Sequence, residues 1–150
     1  MIRTTIFECK INRQLADGLN RESGRIYTQA MVEHWRIYRH SGHWLSPAGL
    51  EKLLDFYDKQ NGVPALIHSH SVDAAQQGFP KACKTAKACR KIGLNNRYPH
   101  KRKMFRSTMW KNTGISIEKN VLFSNSGARA STDWHSFAVK SGRVEKGKLP

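Results

Sequence analysis

Carboxylates are scarce in this 150-residue chain: 11 Asp and Glu face 26 Lys and Arg, a formal net charge of +15. With a pI near 10.2, that excess strains a compact fold by self-repulsion. It argues for a polyanionic partner, with nucleic acid ahead of an anionic membrane surface. So few acids also work against metal-dependent nuclease chemistry. No set of three with the strand or helix context that two-metal catalysis needs can be assembled from the eleven. Cysteine is equally sparse. Cys9, Cys83 and Cys89 are an odd number at wide spacings, which excludes a disulfide framework and a paired zinc knuckle and indicates a reducing compartment. Long apolar runs are missing as well. No stretch approaches the roughly 18 apolar residues of a membrane span, and the opening MIRTTIFECK lacks the apolar core of a signal peptide. A soluble, cytoplasmic, nucleoid-associated protein is the expectation, with no membrane partner.

What is present is enough to fold. Hydrophobic residues make up 39% of the chain and fourteen aromatics are spread along it, which suits one ordinary domain with a core. Phe7, Cys9 and Ile11 alternate with Glu8 and Lys10, the period of a half-buried opening strand over Arg3 to Ile11. Helical spacing follows from Leu15 and Leu19 through Ile26, Ala30 and Ile37, with Gly24 a candidate local break and Ser41-Gly42 the stop. Ser46 then reads as an N-cap with Pro47 at the first helical position, and Leu50, Leu53, Leu54 and Tyr57 make one apolar face. A third helix opens at Ser69 or Ser71 and turns Val72, Ala75, Phe79, Ala82 and Ala86 inward. Pro80 is expected to kink it or begin a new helix, and Gly93 to end it. Met104 to Trp110 reads as a strand, Ile115 and Ile117 mirror Val121 and Phe123 as a hairpin, and a weaker strand runs Trp134 to Val139. Strand, helices, strands in that order predicts an α+β fold: a small split β-barrel, closed by the first strand, with a helical bundle inserted.

Charge segregation is the most informative feature. Between Asp73 and Glu118 there is no acid but eleven bases: Lys81, Lys84, Lys87, Arg90, Lys91, Arg97, Lys101, Arg102, Lys103, Arg106 and Lys111. Lys84, Lys87 and Lys91 form a stripe opposite Ala82 and Ala86. Tyr98, His100, Phe105 and Trp110 interleave with the rest as stacking surfaces. Of these, the eleven bases with Tyr98 and Trp110 are the candidate nucleic-acid-binding residues. Other clusters read as ordinary structure. Glu51, Asp55 and Asp58 make a solvated helix face rather than a metal site, and the pairs His40/His43 and His68/His70 lack a nearby cysteine for zinc. Cys83 and Cys89 read as helix-packing residues, and Trp35, Trp44 and Trp134 as core.

The segments MIRTTIFECKI, RESGRIYTQAMVEHW (Arg21 to Trp35), RYPHKRKMFRSTMWKNTGISI (Arg97 to Ile117) and NVLFSNS (Asn120 to Ser126) resemble, in this order, the TnpB family of transposon-encoded RNA-guided nucleases. These are insertion-sequence relatives of type V CRISPR effectors. The resemblance covers roughly residues 1 to 126. It implies a wedge β-barrel in two parts, 1–14 and 97–126, interrupted by a recognition insertion, 15–96, with 127–150 a weakly structured tail. It also implies a prokaryotic chain that holds guide-type structured RNA and target DNA. The family's ribonuclease-H-like half, with three catalytic acids and a zinc ribbon, has no counterpart here. The expectation is therefore a truncated or split N-terminal portion with no catalytic residues and no cofactor of its own, magnesium and zinc belonging to a separate C-terminal nuclease half. A stand-alone DNA- or RNA-binding protein, a repressor or RNA chaperone, is the alternative. An enzyme using the histidines and the acidic helix is the third reading.

Overall fold

In the computed structural model, the backbone is described for residues 9–10, 12–61, 67–110, 115–118, 121–125 and 134–139, and the side chains for 12–58 and 67–110. The part described in full is helical: α1 (Arg13–Ser41), α2 (Pro47–Asn61) and α3 (Ser69–Lys91). The three helix starts and the ends of α1 and α3 fall where local chemistry satisfies orphan backbone groups. The Asn12 side chain accepts from the amides of Gln14 (2.9 Å) and Leu15 (3.4 Å), and Gly42 closes α1 at φ 69° with its amide on the Tyr38 carbonyl. The Ser46 hydroxyl accepts from Gly49 N–H at 3.1 Å with Pro47 at the first helical position. His68 Nδ1 accepts from His70 N–H at 3.2 Å at the start of α3, and Gly93 takes φ 84° just past its end. The cap is therefore His68, where Ser69 or Ser71 was expected. The helix also runs unbroken through Pro80 rather than stopping there.

Two apolar clusters hold the helices together. Leu19 and Ile26 of α1 meet Ile67 and Ala75, while Tyr27, Ala30 and Met31 meet Phe79 and Cys83 of α3 and Leu50 and Leu54 of α2. Contacts that advance together along α1 and α3 mean these two helices run parallel and pack directly on each other, with α2 against both. Of the residues expected to face inward on α3, Ala75, Phe79 and Ala86 are buried and Val72 and Ala82 are half-buried.

The segment 104–110, expected as a strand, is not one. Together with residues 98–103 it forms an extended strap laid along α1 toward that helix's N-terminus. Trp35 Nε1 donates to the Pro99 carbonyl at 2.8 Å. Lys103 N–H donates to Thr28 Oγ1, Arg106 N–H to the Asn20 carbonyl, and Thr108 N–H to Asn20 Oδ1, each at 3.0 Å. Polar groups of a helix have taken the places a neighbouring strand would hold. Gly24 explains the close crossing. A Cβ there would sit 2.7 Å from the Met104 carbonyl oxygen and 2.8 Å from that of Lys103, so it is a crossing point, while α1 continues through it unbroken.

Four short backbone segments, β1 (Cys9–Lys10), β2 (Ile115–Glu118), β3 (Val121–Asn125) and β4 (Trp134–Val139), pair antiparallel in the order β1-β4-β3-β2. β1 and β2 are opposite edges and do not pair, so these segments close no barrel. The expected α+β split barrel is therefore overturned. The part described in full is of the all-helical class, and the described members of both apolar clusters lie on the three helices and the strap, with Leu45 and Ile67 added from the interhelical segments. The rest of the opening strand, residues 1–8 and 11, and the tail around β4, residues 126–133 and 140–150, lie outside the described residues.

Gly78 and Arg106 make the tightest joint between strap and bundle. The Arg106 guanidinium lies over the Tyr27 ring (4.6 Å to the centroid) and donates to the Ala75 carbonyl at 3.2 Å. A Cβ on Gly78 would collide with it. Gly78→Ala is expected to evict the arginine and cost about 1–3 kcal/mol. In an Arg106→Ala background the same change should be neutral, or stabilising by up to about 1 kcal/mol, because Ala is the better helix former. Urea unfolding of the four proteins measures the coupling. Additive effects would mean that the two residues do not share this space.

Candidate nucleic-acid interface

The loop between α1 and α2 places Trp44 among the aromatics of two neighbouring segments. His34, Trp35 and Tyr38 recur at helical spacing on α1 and put three rings on the same end of the bundle, and Tyr98 arrives from the strap. Trp44 touches four of them: ring centroids lie 4.6 Å from His34, 5.7 Å from Trp35, 5.6 Å from Tyr38 and 5.3 Å from Tyr98. Phe79 lies beneath, 5.1 Å from His34. Although packed on one another, Trp44 and Tyr38 remain 43% and 41% exposed. They open onto a cleft of about 790 Å³ whose opposite wall is α3.

That wall carries the charge. Lys81, Lys84 and Lys87 line the cleft, each exposed, and none forms an ion pair among the described residues. Glu51 is the one carboxylate among the lining residues, and its Oε1 accepts from Gln77 Nε2 at 2.9 Å. An unpaired ammonium row beside exposed aromatic planes suits a ligand that is both flat and anionic.

The other candidates divide by location. Arg90 is exposed and stacks on Tyr98 at 5.3 Å, so Tyr98 is shared between core, cleft and this cation. Lys91 and Arg97 are exposed and stand outside the cleft, so the cleft-lining set is 81/84/87 and not the 84/87/91 stripe. Lys101, Arg102 and Lys103 are exposed on the strap. Lys103 is fastened at Thr28, about 15 Å along α1 from Tyr38. Arg106 and Trp110 are engaged internally, the first on Tyr27 and Ala75 and the second against the Leu19 cluster. Both are half-buried. Lys111 lies outside the described residues. By sequence alone His34 carries no reading, Tyr38 belongs only to the apolar face of the first helix, and Trp44 reads as core. The available signal was a tryptophan in a short interhelical loop, following three aromatic rings at i, i+1 and i+4.

Two titratable groups lie at the cleft floor. Burial pushes the Cys83 thiol up to about 11, so beside two lysines it remains a packed, unreactive group. His34 is 2% exposed, its Nε2 has no hydrogen-bond partner among the described residues, and burial lowers its pKa from the ordinary 6.5. A neutral folded imidazole has a direct consequence for stability. The unfolded chain takes up the proton first, so the contribution of His34 is full above about pH 6.5 and is lost as the pH falls below it. Stability is expected to decline between pH 7 and 5 more steeply in the wild type than in His34→Phe, which keeps a ring against Trp44 and Phe79. Equal pH profiles in urea unfolding would show that His34 takes up its proton without resistance.

Among the described residues, no group of three or more His, Cys, Asp or Glu is placed to hold a metal ion, and no helix is long and apolar enough to cross a membrane. Compared with known proteins, the chain matches no family model and no curated protein.

Proposed function

We propose that this chain binds nucleic acid, RNA foremost, through the lysine wall of α3 and the aromatic cleft beside it. One observation carries the reading: Lys81, Lys84 and Lys87, with no ion pair among the described residues, stand on one rim above exposed Trp44 and Tyr38. Lysines supply sequence-independent phosphate contacts, and aromatic planes supply stacking that duplex phosphates alone do not use. The resemblance to the TnpB family supports a finer form. In it the chain is the binding portion of a TnpB-like, transposon-encoded RNA-guided DNA endonuclease, cytoplasmic and nucleoid-associated. It holds guide-type structured RNA and target DNA, and cleavage falls to a separate nuclease half with its own magnesium and zinc. The alternative is a stand-alone repressor or RNA chaperone. The helical bundle favours it, because the described members of both apolar clusters lie mainly on the three helices.

Binding of a hairpin RNA across a salt series tests the reading. The log-log slope should be about −3 or steeper, reflecting several released counterions. A flat slope, or no binding at low salt, overturns it. Sequencing RNA that co-purifies with the chain separates the two forms: one recurrent structured species for the guide-holding portion, a heterogeneous pool for the chaperone.

A further inference from the structure

We propose that the cleft takes one unstacked nucleotide, its base lying against Trp44 and Tyr38 and its phosphate held by Lys81, Lys84 and Lys87. The inference rests on the nucleic-acid reading above and names what enters the site. Three ligand classes fail on the chemistry of the walls. A cation would be drawn to the rings but would meet three ammonium groups. An acidic peptide would satisfy the lysines and leave the aromatic planes in water. An intact duplex offers phosphates on its outside but keeps its bases stacked away from a concave pocket. A nucleotide turned out of its stack presents a π-face and a negative charge together. The cleft, at about 790 Å³, falls in the size range of pockets that enclose a small ligand.

Two further observations point to an occupant. His34 lines the cleft at 2% exposure with Nε2 unpartnered, and a buried polar atom left without a partner is costly unless something completes it. On the opposite side, the Glu51–Gln77 pair leaves Glu51 Oε2 and the Gln77 carbonyl oxygen to accept hydrogen bonds. Exocyclic amino groups of adenine, cytosine or guanine would meet them, whereas uracil has no amino group to offer.

A nucleotide within a strand and a free mononucleotide share this chemistry, so the test carries both. The full chain is titrated with an RNA hairpin bearing a single bulged adenosine, with the same hairpin carrying an abasic bulge, and with AMP alone followed by tryptophan fluorescence. A preference of about tenfold or more for the base-bearing hairpin is expected, shrinking to about twofold or less in Tyr38→Ala. Tyr38 is exposed enough for that variant to fold, and Trp44→Ala is added only if its helical circular dichroism is intact. Saturable quenching by AMP, stronger than by adenosine, would support the same site with a free nucleotide as ligand. Equal binding of both hairpins with no response to AMP overturns the inference while leaving RNA binding in place. Failure of every RNA to bind removes the functional reading itself.

Discussion

Replacing Lys81, Lys84 and Lys87 together by Ala is expected to lower the salt slope of RNA binding by about three and the affinity on the order of 10–100-fold near 0.1 M salt. Each lysine is exposed and has no ion pair among the described residues, so its removal is expected to take away a phosphate contact without breaking one of the described internal contacts. Stability should change little for the same reason, with exposed substitutions lying within about 0.5 kcal/mol each. A matched Lys101/Arg102/Lys103→Ala variant asks whether the strap shares the task. These side chains are exposed on a segment fastened to α1, and a smaller loss of slope there would place the main contact at the cleft. An unchanged slope in the α3 variant would mean that its lysine row faces solvent only.

Phe79→Ala is expected to be the most damaging single change to the bundle, at about 3–5 kcal/mol. Phe79 is 1% exposed and meets Tyr27 and Trp35 edge-on at centroid distances of 6.2 Å, besides His34. It joins α3 to α1 in the cluster that also holds Leu50 and Leu54 of α2, so truncation leaves a cavity touching all three helices. For a domain whose whole stability is about 5–15 kcal/mol, that loss approaches unfolding. Phe79→Leu, which keeps most of the volume, should cost about half as much or less. Phe56→Ala, at a ring 55% exposed on α2, should be close to neutral. Thermal and urea unfolding followed by circular dichroism rank the three. A Phe79→Ala cost below about 1 kcal/mol would show that this cluster does not hold the bundle together.

Local chemistry was legible in the residues themselves. Ser46-Pro47, Ser41-Gly42 and Gly93 mark helix ends because capping needs only near neighbours, and the Leu50, Leu53, Leu54 and Tyr57 spacing sets which face of α2 is apolar. The eleven uninterrupted bases between Asp73 and Glu118 likewise required no fold to suggest a polyanion. The segment 104–110 shows where such reading stops. Its alternation predicts a strand, but a strand's backbone has no hydrogen-bond partners of its own. Whether they come from a strand or from Asn20 and Thr28 of a helix is decided by packing. With partners taken from α1, this segment adds no strand to the sheet. The same holds for the charges. Arg106 and Lys84 are equivalent in a list of bases, yet one is anchored on Tyr27 and Ala75 and the other lines the cleft. Composition determined that this protein carries an excess of cations. Only the tertiary structure decided which of them meet aromatic rings, because Trp44, Tyr38 and Lys84 are brought together by the crossing of helices and not by distance along the chain.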